Sequence, residues 1–426
     1  MGLKKIIAKW LPHSLKERFF LKSLKPFSLE EFNQQFVIKV AETPDEILSA
    51  YKLIYENYFL AGLCELDDEM LRLTKHALLP TTSVIIVKHH DQVIATMSVI
   101  LDNPLKLPME SLWPLDFLRK SGNRIAEIST LSIKPNYRNQ KGRLLLPLTG
   151  YLYRYALNTL GVDFLTLAVH PYSTPFYSAF FNARFVDKKV MYYKGANHAP
   201  AAAMTIDLKN NQVQNHVESV FFGPKLDIPL IHYMHWDRYP RAYVFPERKY
   251  FRAFDPGFHL DLLKDLFKKN ITGLKTLTEW DKEILTKIYP SDLQETLEVT
   301  SVSSGPRETY RYPVNCSGIF TESSSGQMQF VRVFDISDKG LLLFNNSMGQ
   351  LDSQHGHLAL KVSKDITIQL EIQIVRTMNQ LYGAKIVRVK PVHEWKRFLE
   401  YLHLTFFKTA SADQPLPQRG RNLKSA

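Results

Sequence analysis

The sequence predicts an α+β multidomain protein: a mixed sheet flanked by helices, followed by an all-β domain shaped as a barrel or sandwich. Three observations carry this expectation. From about residue 36, strand-like and helix-like segments alternate, as in a sheet covered by helices. After residue 307 the helical period gives way to a succession of short β-rich runs. Between the two halves lies "TSVSSGP", whose serine, glycine and proline content reads as a linker.

The expected segments are a basic helical stretch over 1–35, a first domain over 36–208, a connecting region over 209–300, a β-domain over 301–408 and a disordered tail over 409–426. The opening "MGLKKIIAKWLPHSLKERFFLKSLKPF" puts Leu3, Ile6, Ile7, Trp10 and Leu11 on one side of a helix, with lysines flanking. Residues 1–27 read either as an interfacial helix at a membrane surface or as a basic helix packed on the domain behind it. They lack the long apolar core and cleavage site of a secretory signal.

"FVIKVA" is strand-like. "TPDEILSAYKLIYENYFLAGL" starts with Thr43 as N-cap, Pro44 at N1 and Glu46 at N3, a capping box, and its apolar residues then follow the helical period. "SVIIVKHHDQVIATMSVIL" reads as a hairpin turning at Asp91-Gln92. The strand "RIAEISTLSI" and the loop "KPNYRNQKG" lead to a helix from about Arg143 to Leu160, stopped by Gly161. Strand "FLTLAVHP", helix "PFYSAFFNAR" and a last pair of strands ending near "AAAMTIDL" complete the unit.

In the connecting region "FHLDLLKDLFKK" and "EWDKEILTKIY" read as amphipathic helices, whereas "IHYMHWDRYPRAYVFPERKYFRAF" has no clear period. The β-domain shows strands in "QMQFVRVFDIS", "GLLLFNN", "ITIQLEIQIVRTM" and "YGAKIVRVKP", then a helix "HEWKRFLEYLHLTFF".

With 45% hydrophobic residues the chain has the composition of a globular protein rather than a disordered one. A formal net charge of +12 favours an anionic partner. Nucleic acid is not implied, because charge alone speaks for it. The two cysteines, Cys64 and Cys316, are too few and too far apart for a disulfide framework or a CxxC metal site, which fits a reducing cytoplasm. No metal site is expected. No apolar run long enough to span a bilayer occurs.

Two short motifs fall in the β-domain. Arg307 and Arg311 stand four apart between Pro306 and Pro313, which argue against a helix there. Downstream, "VFDISDKGLLLF" holds Asp335, Ser337 and Gly340 as D-x-S-x-x-G at a strand end. Together, RxxxR and DxSxxG resemble the PilZ domain over about residues 300–406. The resemblance implies a six-stranded antiparallel β-barrel that binds the bacterial second messenger cyclic di-GMP. That ligand offers two phosphodiester anions and two guanine faces. Guanidinium groups of Arg307 and Arg311 can fork onto phosphate or guanine and stack on the base. Asp335 is an acceptor for guanine donors, Ser337 adds a hydroxyl, and Gly340 leaves room for a close turn; the alternative is that Asp335 and Ser337 only cap a bend and the arginines are solvated.

In the first domain, "AEISTLSIKPNYRNQKGRLLLPL" followed by "LAVHPYSTPFYSAFF" resembles the GNAT acyltransferase superfamily. Within it, the likeness is to the N-acyl amino acid synthases and the acyl-homoserine-lactone synthases. The resemblance implies two parallel strands, over 125–133 and 163–170, that splay apart around an acyl-pantetheine arm. It further implies that Leu131 and Ile133 on the splayed strand, with Arg138 and Gly142 of the loop, bind the acyl thioester. The loop "RNQKGR" keeps only part of the family's phosphate-binding pattern. Such a loop suits an acyl carrier protein, whose pantetheine carries a single phosphate, better than coenzyme A. Glu127 is implied as the base that deprotonates the attacking amine; its alternative is a carboxylate paired with a neighbouring arginine. Tyr177 is implied as the acid for the leaving thiolate, with a core aromatic as the alternative. His170 ends the second strand, either facing the acceptor or serving the fold.

The combined expectation is a cytoplasmic, cyclic di-GMP-responsive N-acyltransferase, with peripheral contact at the inner face of the membrane through its basic N-terminus. It would move an acyl group from an acyl carrier protein or acyl-CoA to an amine, an amino acid being the leading acceptor. The alternative is a non-catalytic cyclic di-GMP effector that uses the first domain as a protein- or membrane-binding scaffold.

Overall fold

The computed structural model describes residues 27–79, 81–119, 123–138, 143–209, 240–246, 250, 260–288, 311–345, 351, 354–363, 365–378 and 381–410. Most of the basic opening stretch and nearly all of the tail, as well as Gly142 and Arg307, lie outside them.

Helix α1, Leu29–Gln35, is capped by Ser28, whose hydroxyl accepts from the Glu31 amide, and runs straight into strand β1, Phe36–Val40. Helix α2, Pro44–Leu60, starts at the expected capping box. Thr43 Oγ1 accepts from the Glu46 amide at 3.2 Å, and the Glu46 carboxylate accepts from the Thr43 amide at 3.4 Å. The buried face of α2 packs Ile47, Ala50, Tyr51 and Ile54 against Val84 and Ile86 of β2, Thr82–His89, and Val93 of β3, Gln92–Leu101. Alternate residues Ile85, Val87 and Ile94 turn to the opposite face, beneath helix α3, Leu145–Arg154. Helices thus cover both faces, as the alternation of segments requires.

The remaining strands are β4, Ile125–Ile133, β5, Phe164–Val169, β6, Arg184–Phe185, β7, Met191–Tyr193, and β8, Ala199–Asp207. Helix α4, Thr174–Phe181, follows β5. A further strand, β9, Tyr243–Val244, comes from the connecting region. The sheet has the order β6-β8-β5-β4-β3-β2-β1-β9, with β7 paired to β8. Only β4–β5 and β1–β9 are parallel among its described pairs.

Three details differ from the expectation. The β2–β3 hairpin turns at His90-Asp91 rather than Asp91-Gln92, because Gln92 is already paired with His89 and His90 takes the positive φ of 53° that the tight turn needs. The central helix is α-helical only to Arg154 and continues as one π turn, Tyr155–Thr159, before Gly161 leaves it at φ 62°. The connecting region, expected to pack on the first domain, also adds a strand to its sheet that its aperiodic pattern did not predict. The aperiodic aromatic segment returns to pair β9 with β1 through Ile38↔Tyr243, and Tyr243 donates its hydroxyl to the Pro147 carbonyl at 2.6 Å.

The two amphipathic helices of the connecting region are present as α5, Leu260–Phe267, and α6, Glu279–Ile288. Their residues Leu263, Leu266, Ile284 and Leu285 join α2 in one core that also takes Phe334, Phe344 and Leu381 from the β-domain. That domain is a closed antiparallel barrel of six strands. They are β10, Tyr312–Glu322, β11, Met328–Ile336, β12, Gly340–Asn345, β13, His355–Lys361, β14, Thr367–Met378, and β15, Leu381–Lys390. The ring order is β10-β11-β12-β15-β14-β13. Strand β13 carried no separate sequence signal, its first half being "HGH". Helix α7, Val392–Ala410, lays Trp395, Phe398 and Leu402 against the barrel core.

Gly273 shows how tightly the connecting region is docked. A Cβ there would lie 1.7 Å from the Leu73 carbonyl oxygen, an atom of the backbone that cannot rotate away. Gly273→Ala is expected to destabilise the protein by about 1–3 kcal/mol, the scale of overpacking at a rigid contact. An unchanged urea midpoint would show that this docking is loose.

Candidate active site

Strands β4 and β5 pair only from Ile125↔Phe164 to Ile128↔Leu167. Beyond that point β4 stays with β3 as far as Ile133↔Ala95, and β5 stays with β8 as far as Val169↔Ala202. The two strands therefore diverge, as expected, and their facing edges line a cavity of about 280 Å³. Ile128, Ser129, Thr130 and Leu131 form one wall, and Leu167, Ala168 and Val169 the other. Thr130 holds a φ of 52° at the bulge where β4 leaves register with β3, and its hydroxyl donates to Ser98 Oγ at 2.8 Å.

Glu127 sits at the mouth of the split, in the cavity wall and only 3% exposed. Its Oε2 accepts the Met109 amide at 2.8 Å, and no arginine pairs with it among the described residues. Burial pushes its carboxyl up to about 8; the Met109 N–H opposes that shift and the nearby Glu110 carboxylate adds to it. A carboxyl poised there is suited to taking a proton. Tyr177 on α4 lines the same cavity. Burial pushes its phenol up to about 12, with Tyr58 nearby reinforcing the shift, so it stays protonated and able to donate.

Leu131 and His170 also line the cavity. His170 Nδ1 accepts the Tyr172 amide at 3.3 Å, so one ring nitrogen serves the local turn. Ile133 and Arg138 are not among the lining residues: the Ile133 carbonyl accepts from Arg138 Nε at 2.7 Å and from Asn57 Nδ2 at 3.1 Å, outside the split.

Several lining residues carry no motif in the sequence. Arg72 reaches the cavity with Nη2 donating to the Gly195 carbonyl at 2.6 Å and its guanidinium 4.2 Å over the Tyr58 ring. His76 is buried in the wall with Nε2 on the Lys106 carbonyl at 3.0 Å, which fixes the proton on that nitrogen. Burial and the adjacent Lys75 push it down to about 4, so it is neutral. Among the described residues no group of three or more His, Cys, Asp or Glu side chains could hold a metal ion. Nor is any described helix long and apolar enough to cross a membrane.

In the barrel the second motif closes on the first. Arg311 Nη1 donates to Asp335 Oδ1 at 2.5 Å. A Cβ on Gly340 would lie 3.2 Å from Arg311 Nη2 and 2.9 Å from the Ala384 carbonyl, so glycine is what lets the guanidinium lie against the strand. Ser337 is spent on the turn: its Oγ accepts the Gly340 amide at 3.0 Å and donates to the Gly340 carbonyl at 3.2 Å.

Residues 49–207 match the family model of the N-acyl amino acid synthase FeeM. The matched stretch is less than half of the chain and marks the first domain as one of N-acyltransferase type. No curated protein matches the chain. Among solved structures, FeeM from uncultured soil microbes is similar at 19% identity and a TM-score of 0.38, covering 44% of this chain and 98% of its own. The CoA-dependent acyl-homoserine lactone synthase BjaI is similar at 10% identity and 0.35, covering 50% and 95%. The AHL synthase LasI follows at 18% and 0.33, covering 43% and 94%. Likenesses at these TM-scores transfer no chemistry to this chain.

Because Glu127 titrates near 8 when folded and near its ordinary 4.5 when unfolded, the native state holds the extra proton between those values. Stability should therefore fall as pH rises through that window and level off above it. Glu127→Gln should abolish this fall, as read by urea unfolding of both proteins across the window. A wild-type fall that survives the substitution would assign it to another group.

Proposed function

We propose that the first domain transfers an acyl group from a thioester, acyl-CoA or acyl carrier protein, to the amine of an amino acid. One observation carries the reading: the cavity between the diverging strands holds a buried, chargeable carboxyl and a protonated phenol, Glu127 and Tyr177, within a stretch that matches an N-acyl amino acid synthase family. The acyl-pantetheine arm would lie along the unpaired edge of β4, beside Leu131, where backbone N–H groups can meet the carbonyl oxygen. Ionised Glu127 takes the proton from the attacking nitrogen as the C–N bond forms. The C–S bond then breaks, Tyr177 protonates the thiolate, and as Glu127 releases its proton to solvent, solvent returns one to the phenol. Amide and free thiol are the products. Ile133, Arg138 and Gly142 would act at the outer end of the arm.

An incubation with acyl-CoA and acyl-carrier-protein donors, pooled amino acids and mass-spectrometric detection tests this. Acylated amino acid should form, with kcat/KM rising through pH 8 as Glu127 ionises. Glu127→Gln should lower kcat/KM by about 10²–10⁴-fold, the range of a general base. Absence of product from every donor would remove the enzymatic reading.

We further propose that the barrel binds cyclic di-GMP. Arg311 and Asp335 neutralise each other in the free protein. The ligand would replace both halves of that pair, phosphate taking the guanidinium and guanine N–H donors taking the carboxylate. Arg307 would close from the preceding loop, and Ser337 and Gly340 would hold the turn beneath. By calorimetry, Arg307→Ala and Arg311→Ala should each weaken binding at least about ten-fold, the loss of a charge-assisted contact. Equal affinity in wild type and variants would discard the arginine roles.

A further inference from the structure

A buried chain of charges leads from the barrel to Glu127. Arg332 on β11 is 7% exposed and sets Nε 3.6 Å from Asp102 Oδ2 of the first domain. Its Nη2 also donates to the Asn123 carbonyl at 3.5 Å. Asp102 is gripped from its other side by Arg119, Nε to Oδ2 at 3.0 Å and Nη2 to Oδ1 at 2.7 Å. The same guanidinium holds Glu110, Nη1 to Oε1 at 2.7 Å and Nη2 to Oε2. Glu110 belongs to the helical turn Pro108–Ser111, and its Oε2 accepts the Leu107 amide at 2.8 Å. One residue earlier in that turn stands Met109, whose amide is the donor to Glu127.

The charges in this chain balance as two carboxylates and two guanidiniums, with Asp116 at the exposed edge 3.7 Å from Arg119. Without Arg332, Asp102 and Glu110 would keep Arg119 as the buried guanidinium they share, and the cluster beside Glu127 would lose one positive charge. Arg332 also has Arg124, Asp163 and Cys316 around it, so it is the charge through which the barrel meets this cluster. The other titratable groups that face the cavity beside Glu127 are Tyr51 and Tyr58 on α2, Arg72 and His76 after it, and His170, Tyr177 and Tyr193. None of these takes part in the chain to the barrel.

The strand that carries Arg332 also carries Asp335. Val333 pairs with Leu343 and Asp335 with Leu342, so Phe334 is the extra residue of a β-bulge. Val331, Val333 and Ile336 point into the barrel core, and Phe334 points into the core shared with α2. The bulge thereby brings Arg332 and Asp335, three apart in sequence, to the same outward side of β11.

We propose that Arg332 is a positioning residue for acyl transfer: acting through Asp102, Arg119 and Glu110, it holds the 107–110 turn on Glu127 and ties that carboxylate to the strand bearing the Asp335 motif. The proposal rests on the acyltransfer reading of the first domain.

The test uses the full-length protein, an acyl-CoA donor and pooled amino acids, with kcat/KM followed against pH for wild type, Arg332→Met, Arg332→Gln and Arg332→Lys. Loss of the positive charge in the Met and Gln variants should move the rising limb to higher pH by about half a unit to one unit, the effect of one charge at a short remove inside a protein. Their kcat should fall while the donor KM holds, and Arg332→Lys should restore most of the limb. A folded Met or Gln variant with the wild-type limb overturns the proposal. A second reading needs no turnover: the pH window over which stability falls should extend to higher pH in Arg332→Met and vanish when Glu127→Gln is added. An unchanged window sinks the coupling, whereas a window that moves in Arg332→Met while the wild type makes no product sinks the acyltransfer reading alone.

Discussion

The site depends on one constraint: two parallel strands that cannot stay together. β4 and β5 are each pinned on their outer sides, by β3 and β8, well past the point where they part. Neither can slide back to close the gap without breaking a longer ladder. The gap leaves residues 129–131 and 168–169 lining a cavity instead of pairing with each other. The price is partly local strain, since Thr130, a β-branched residue, sits in the left-handed region at the bulge. Its hydroxyl bond to Ser98 holds the distortion in place.

Charge is handled differently in the two halves of the site. Glu127 is buried with a single backbone donor and no cation among the described residues, which makes ionisation costly and keeps the group responsive to its surroundings. A short distance away, Asp102, Glu110, Arg119 and Arg332 are buried as a compensated cluster. Such clusters add little net stability, because desolvation offsets attraction, but they fix geometry firmly once formed. Their position between the domains, with the greasy core of α2, α5, α6 and the barrel alongside, makes the contact specific as well as adhesive.

Local signals in the sequence foretold most of the elements. The Thr43–Glu46 box and the Gly161 stop depend only on neighbours in the chain, and each was found where expected. The juxtaposition of Arg311, Asp335 and Gly340 was also legible, because two spaced motifs constrain one another. Glu127, Leu131 and Tyr177 line one cavity, a grouping that the family likeness of their two segments implied. What escaped was set by contacts distant in sequence. Strand β9 is made by pairing with β1, not by its own pattern. Arg72, Met109 and Arg332 matter through the backbone or charge they meet across the fold, and nothing beside them in the chain announces it. Ser337 caps the bend, the local role its place in the motif offered as the alternative to a ligand contact.

The short strand β9 has one more consequence. The described sheet ends in a two-residue strand on both sides, β6 beyond β8 and β9 beyond β1, while the barrel closes on itself and has no side at all. Long bare strand margins are where one chain recruits another into intermolecular sheets. Here Tyr243 and Val244 cover part of such a margin on β1, so a stretch that looked like mere connection shortens the open edge of the sheet.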